Sequence, residues 1–432
     1  MVPEGWKPTK LGDISSLVTS GSRDWAKFYS DSGSKFIRMT NLRRDGIHLK
    51  MDDLKFVNIE SGSADGKRTS LQAGDILISI TAELGKIGWV PPGLGEAYIN
   101  QHTALVRVEP TESESKFVAY LLSSKPYHRR INALNDAGAK AGLNLATIRS
   151  LPIALPDIPE QKKIAQILST WDQAITATER LLANSQKRKK GLMQQLLAGK
   201  KRLVDMSTVP SHGDFKPSKS PYRHLPSNWA EVTLSNVSSL ITKGATPTTY
   251  GFEWQDSGIP FIRSECVSEN GFRASGLAHI CRDAHEAMGR SKVFNGDILI
   301  TITGNVGRVC MLPERFEEAN INQHIAKITL DGATVDRDFV FQCLQDRKYR
   351  VQFERITTGQ AYPQISLVQV RDTIIQMPPL DEQRKIALVL STADHEISAL
   401  KLRLSALRQE KHALMQQLLT GKRRVNVETE AA

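Results

Sequence analysis

Two stretches of the chain carry apolar residues at alternating spacings of four and three. The first runs Ile164, Leu168, Trp171, Ile175, Thr178, Leu182, Ser185, Lys189, Leu192, Leu196, and the second Ile386, Leu390, Ala393, Ile397, Leu400, Leu404, Leu407, Lys411, Leu414, Leu418. A 4-3 spacing held over several heptads is the seam of a coiled coil, so each stretch is predicted to be one long helix. Pro159 suits a first helical turn, Asp381 suits an N-cap, and Gly199 and Gly421 mark C-terminal stops. At 1.5 Å per residue, a helix over 160–198 is ~58 Å long. Thr178, Ser185 and Lys189 make the first seam a poor coiled coil on its own. The more apolar second seam is its simplest partner, and an antiparallel pair is expected.

Upstream of each helix the period changes. Gly74-Asp75 followed by Ile76-Leu77-Ile78-Ser79-Ile80-Thr81, and Gly296-Asp297 followed by Ile298-Leu299-Ile300-Thr301-Ile302-Thr303, read as a turn into a strand. Gly85-Lys86-Ile87 and Gly307-Arg308-Val309 read as a turn into a return strand. The first ~150 residues of each half are thus expected to be β-rich, with helix near 113–134 and 335–356.

The two halves are one pattern written twice. Glu160-Gln161-Lys162-Lys163-Ile164 returns as Glu382-Gln383-Arg384-Lys385-Ile386, and Met193-Gln194-Gln195-Leu196-Leu197 as Met415-Gln416-Gln417-Leu418-Leu419, both at an offset of 222. Over 160–202 against 382–424, 22 of 43 positions are identical. Pro3-Glu4-Gly5-Trp6 and Pro226-Ser227-Asn228-Trp229 open the halves at an offset of 223, and Phe36-Ile37-Arg38 matches Phe261-Ile262-Arg263 at 225. Shifting offsets mark insertions in loops, so the variable stretches are 20–73 and 243–295. The expected map is a β-rich domain over 1–155, a long helix over 156–202, a linker over 203–225 rich in Pro and Ser, a second domain over 226–377, a second helix over 378–424 and a tail over 425–432. The fold class is mixed α+β: two β-rich domains separated by two long antiparallel coiled-coil helices with a pseudo-two-fold repeat.

Composition narrows the function. The chain has 432 residues, 40% hydrophobic and 24% charged, with a net charge of +11 and a pI near 9.4. That charge points to a polyanion, most simply nucleic acid. No apolar run approaches the ~18 residues of a membrane span, and the first residues lack a signal-peptide core. Cys266, Cys281, Cys310 and Cys343 include no C-x-x-C pair, which disfavours zinc and suits a reducing cytoplasm. There is no phosphate loop; Gly138-Ala139-Lys140-Ala141-Gly142 has the wrong spacing. No Asn-Pro-Pro-aromatic stretch and no metal-ligand spacing occurs. No cofactor is expected.

Leu151-Pro152-Ile153-Ala154-Leu155-Pro156 leading to Glu160-Gln161, and the helix ending Met193-Gln194-Gln195-Leu196-Leu197-Ala198-Gly199, are both repeated, with Thr373-Ile374-Ile375-Gln376-Met377-Pro378-Pro379 a weaker second copy of the first. The whole chain resembles the DNA-specificity subunits of type I restriction–modification systems. The resemblance implies two target-recognition domains that each read half of a split double-stranded DNA sequence, with the helices as spacer. It implies a non-catalytic, cytoplasmic, bacterial or archaeal subunit. Its implied partners are two adenine-methyltransferase subunits docked on the helical region and ATP-dependent restriction subunits, with no membrane.

Base edges are read by hydrogen-bonding side chains, whereas phosphates carry no sequence. Residues that differ between the halves are therefore candidates for base contact. The variable stretches hold the candidates: in the first half Ser20, Arg23, Arg38, Asn41, Arg43, Arg44, Lys67 and Arg68; in the second, Lys243, Thr246, Tyr250, Arg263, Ser264, Glu265, Arg290 and Lys292. The bland alternative is a solvated loop of a basic protein. For Trp25, Tyr250 and Trp254 the core is favoured. Lys86 and Arg308, shared cations at a turn, are candidates for phosphate contact, and Lys140, Gln360 and Tyr362 are weaker candidates from loops that differ. Asn100-Gln101-His102 and Asn322-Gln323-His324 are identical and are expected to form a buried polar network beside the strands. Lys187-Arg188-Lys189-Lys190 is expected to be a solvated or partner-facing helix face, because its counterpart is Gln409-Glu410-Lys411-His412. The mechanism expected is a bipartite ruler, in which helix length fixes the unread gap. The alternatives are a stand-alone architectural DNA-binding protein, a tandem-domain interaction protein, and a fused methyltransferase or nuclease that the missing motifs speak against.

Overall fold

The computed structural model describes residues 2–23, 25–59, 64–135, 142–204, 215–269, 271–359 and 362–426. It divides into two compact units, Met1–Glu179 with Leu402–Ala432, and Arg180–Lys401. Each unit therefore takes its β-rich domain and the first part of a long helix from one half of the chain. It takes the last part of the other long helix from the other half.

The heart of each β-rich domain is a four-stranded antiparallel sheet. In the first unit its order is Ser15–Ser20, Thr103–Val108, Ile76–Ser79, Ile87–Trp89; in the second, Ser238–Lys243, Ile325–Leu330, Ile298–Thr301, Val309–Met311. The Ile-rich strands predicted after the Gly-Asp turns are central, and every residue in them is buried. Successive side chains of a strand point to opposite faces. Ile76 and Ile78 thus pack on Phe117, Val118 and Leu121 in the main core, while Leu77 faces a second cluster with Ile37, Leu42 and Ile99. Ile298 and Ile300 against Leu299 repeat the division.

A second four-stranded sheet carries the variable stretches, and here the units differ. Both keep one parallel pair, Ser34–Ile37 with Ala97–Ile99 and Ile259–Ile262 with Glu318–Ile321. Around it the first unit adds Lys55–Val57 and Tyr29–Ser30 on one side, whereas the second adds Ala278–Ile280 on one side and Lys292–Phe294 on the other. The helical stretches near 113–134 and 335–356 are each two helices, Ser115–Ser123 with Lys125–Ala133 and Arg337–Gln345 with Arg347–Arg355. The break in the second pair is made by Asp346, whose carboxylate accepts from the Lys348 amide and so starts a new helix. Part of the expected linker is also folded. Phe215–Pro217 and His224–Pro226 form a hairpin, and buried Tyr222 donates its hydroxyl to Asp346 at 2.7 Å.

The long helices are Ile158–Leu196 and Leu380–Leu418, 39 residues each. Asp381 lies inside the first turn rather than at the cap. The repeated motifs close each unit. Gln161 takes hydrogen bonds from the Ser113 hydroxyl and the Glu114 amide and donates to the Pro156 carbonyl. Gln383 does the same with Asp336 and Pro378. Buried Glu160 holds Arg424 at 2.6 Å, and buried Glu382 holds Arg202 in a two-point contact at 2.7 and 2.8 Å. Leu418 and Leu419 enter the core around Trp6, and Leu196 and Leu197 that around Trp229. Gly421 and Gly199, at φ +65° and +64°, end the helices where an added Cβ would lie 2.4 Å from Pro3 and 2.3 Å from Pro226.

The lysines in the seam find partners. Lys411 meets Asp172 at 2.6 Å, and Lys189 meets Asp394 at 2.6 Å. Ser185 donates to Glu396, which Arg188 also engages. In each unit, contacts that move forward on one helix move backward on the other, so the pairing is antiparallel. Burial alone would raise the Asp172 carboxyl, but His48 at 3.2 Å, the Lys411 charge and the Tyr120 hydroxyl outweigh it and hold its pKa at about 2. A depressed carboxylate adds stability that is complete above about pH 4 and is lost as the pH falls toward 2. Asp172→Asn leaves Lys411 buried without its counter-charge, at a cost of about 3 kcal/mol. In thermal unfolding at pH 7 the variant is expected to melt roughly 10 °C lower, and the gap to the parent should narrow below about pH 4 and close near pH 2.

Candidate nucleic-acid interface

One end of each four-stranded antiparallel sheet gathers three loops, and glycine makes the gathering possible. At Gly21 an added Cβ would lie 2.2 Å from the Asn100 backbone, and at Gly244 it would lie 1.9 Å from the Ile321 carbonyl. The loop after the first sheet strand is thereby pressed against the Asn-Gln-His turn. Within that turn the asparagine is structural: Asn100 Oδ1 accepts from the His102 amide and the Thr103 hydroxyl, and Asn322 Oδ1 from the His324 amide, all at 3.3 Å. The third loop docks through backbone hydrogen bonds, Leu143 to Ile80 and Ile365 to Ile302, each 2.9 Å.

Several residues chosen from the sequence meet at this end. In the first unit they are Ser20, exposed Arg23, exposed Lys67 and Arg68, whose guanidinium binds the Ser20 carbonyl at 2.9 Å and the Ser22 hydroxyl. In the second they are exposed Lys243, Thr246, Tyr250 (43% exposed) and Tyr362 (59% exposed). Tyr362 stands edge-on to His324 with ring centres 6.2 Å apart, and Thr246 donates to Gln323 at 2.6 Å. Lys140 and Gln360 lie outside the described residues.

A second group faces a different cleft. Arg43, Arg44 and His48 line about 860 Å³ with Lys125, Arg129 and Lys422. Beside it Lys86 contacts Glu83, which Arg44 approaches at 3.9 Å. Burial lowers the Lys86 ammonium pKa, and the charges of Lys50 and Arg44 lower it further. Such crowded cations gain from an anion. In the second unit Arg308 lines about 500 Å³ with Arg347 and Arg350, and its Nε is buried with no partner among the described residues.

The remaining candidates are tied into the fold. Arg38 grips Asp53 at 2.8 Å. Asn41 is buried, accepts from the Arg38 amide and donates to the Lys50 carbonyl. Arg263 donates to the Gly276 carbonyl at 2.6 Å, with Ser264 and exposed Glu265 beside it. Lys292 binds Glu286 at 2.6 Å, while Arg290 is exposed. Trp25 is core as expected, but Tyr250 and Trp254 are not, Trp254 being 42% exposed and leaning edge-on against Phe261. The expected buried network at Asn-Gln-His is only partly there: the asparagines hold the turn, yet Gln323 is exposed and Gln101, His102 and His324 are half-exposed. Because these glutamines and histidines are identical in both halves, a comparison for differing residues passes over them. The cations of Lys125–Ala133 and Arg347–Arg355 were also overlooked, although each helix carries them at corresponding ends. Among the described residues no cluster could hold a metal ion, and no helix is long and apolar enough to cross a membrane.

Two copies of one scaffold, decorated differently at the same loop cluster and closed by exchanged helix ends, define a tandem recognition module. The chain belongs to the type I restriction modification DNA specificity domain family, whose model matches residues 3–184 and 226–407. It is 22% identical over 432 residues to the type I restriction enzyme MjaVIII specificity subunit of Methanocaldococcus jannaschii, covering 98% of this chain and 94% of that one. The type I restriction enzyme EcoBI specificity subunit of Escherichia coli is 23% identical over 320 residues, covering 72% and 65%. A crystal structure of a type I restriction–modification S subunit from M. genitalium matches with a TM-score of 0.62 at 14% identity, covering 97% and 99%.

Gly244→Ala forces the loop off the turn and should cost ~3 kcal/mol in the second unit. Hydrogen exchange is expected to rise at Ile321–Ile325 and to stay unchanged at Ile99–Thr103.

Proposed function

We infer that the chain is the DNA-sequence-specificity subunit of a type I restriction–modification complex, binding a bipartite target with one half-site per recognition domain. The observation that carries this reading is the loop cluster. One scaffold, repeated, presents Ser20, Arg23, Lys67 and Arg68 in one unit and Lys243, Thr246, Tyr250 and Tyr362 in the other. Different polar side chains at one place suit different half-sites. Lys86 and Arg308, common to both units, suit phosphate, which has no sequence to read. The subunit itself is non-catalytic. Two adenine-methyltransferase subunits dock on the helical region, ATP-dependent restriction subunits join for cleavage, and the assembly works in the cytoplasm. A methyltransferase partner takes the target adenine out of the stack.

Helix length sets the number of unread base pairs. Methylome sequencing of the host with and without this chain should reveal a split motif that disappears with it. One heptad added to each long helix, after Thr178 and after Leu400, lengthens the pair by ~10 Å. At ~3.4 Å per base pair the unread gap should grow by about three, with both half-sites unchanged. An unchanged gap would refute the ruler. Replacing Lys86 or Arg308 by Ala should weaken binding alike across sequences and flatten its salt dependence by about one unit of slope.

A further inference from the structure

Identity between the two halves argues for scaffold only where the half-sites share nothing. On the reading above they share one thing: each must contain an adenine for its methyltransferase. A base common to both half-sites is best read by a residue common to both domains. The Asn-Gln-His turn supplies one. Its asparagine is committed to the backbone, but its glutamine, exposed as Gln323 and half-exposed as Gln101, stands at the same end of the sheet as the variable loops.

The amide of Gln323 is held in a defined orientation. Its Oε1 accepts from the Thr246 hydroxyl at 2.6 Å, and its Nε2 lies 3.1 Å from His324 Nε2. A primary amide has two N–H donors and two acceptor lone pairs. One of each is therefore engaged and one of each is left on an exposed side chain. That pair matches the N6 and N7 edge of adenine in the major groove. In the first unit His102 is tied instead to the Thr81 hydroxyl at 2.8 Å, and Arg23 stands where Thr246 does. The glutamine is constant, while the residue facing it from the neighbouring loop differs, Thr246 in one domain and Arg23 at the matching position in the other.

We propose that Gln101 and Gln323 each read the adenine–thymine pair that both half-sites contain, before the adenine leaves the stack. The proposal rests on the specificity-subunit reading and extends it to one residue per half-site. Thr246 and His324 are positioning residues for Gln323.

The test uses the full chain in complex with its modification subunits. The methylome supplies the target, and duplexes carry one base-pair change each. Competition binding should show that the parent complex penalises loss of the methylatable A·T pair in the second half-site by roughly 5- to 150-fold. Gln323→Ala should erase that penalty alone, leaving those at the other pairs of its half-site and throughout the first. Gln101→Ala should do the reverse. A penalty that survives Gln323→Ala overturns the assignment. So does a uniform loss across every pair of the second half-site, which would mark a phosphate or folding role; unchanged discrimination in the first half-site shows that the variant is folded. A parent complex without any bipartite target overturns the functional reading and this inference together.

Discussion

A carboxylate cannot be buried without a partner, and this chain buries the same one twice. Glu160 and Glu382 open the long helices with almost no exposure, and each is answered by an arginine just past the end of the opposite helix, Arg424 and Arg202. Removing either arginine would leave an uncompensated charge in a core. The requirement brings one helix end to each domain. Gly421 against Pro3 and Gly199 against Pro226 allow the close approach there, because any side chain at the glycine would strike the proline. Once the ends are exchanged, antiparallel order follows. The seam contacts Asp172–Lys411 and Asp394–Lys189 add a register that apolar seam positions alone would not impose.

Much of this was legible in the sequence because repetition does the work of an alignment. The 4-3 seam gave two long helices, the Gly-Asp-Ile runs gave two central strands, and the shifting offsets located the stretches where the second sheets take different topologies. What was not legible depends on distant partners. Lys189 and Lys411 look like faults in a seam until Asp394 and Asp172 are placed opposite. The break between paired short helices hangs on a single side chain at Asp346, inside an amphipathic pattern that runs on through it. The Pro- and Ser-rich stretch before the second domain reads as a linker, yet Tyr222 is drawn into the core by Asp346 and by the Tyr349 ring.

The candidate interface was legible only in part, for a related reason. Composition identifies residues able to bind DNA but not those already engaged. Arg38 and Asn41 have the right chemistry, and the fold uses both to brace a turn against Asp53 and Lys50. Arg68 is different: it braces Ser20 and Ser22 while remaining exposed, so it can shape the loop and still face a ligand. Crowding is also invisible in sequence. Lys50, Arg44 and Lys86 are separated along the chain, and only folding brings their charges close enough to lower the lysine's proton affinity.

The division between shared and variable residues therefore needs a finer rule than identity. Shared residues that are buried and hold the backbone with their amides, such as Gln161 and Gln383, are scaffold. Shared residues that stay accessible with hydrogen-bonding capacity left over, such as Gln323, are candidates for whatever the two half-sites have in common. A duplicated recognition protein whose targets share a reacting base has reason to keep one reader constant and vary its neighbours. The structure separates the two kinds of sharing by asking where each donor and acceptor goes, a question that the repeat alone cannot answer.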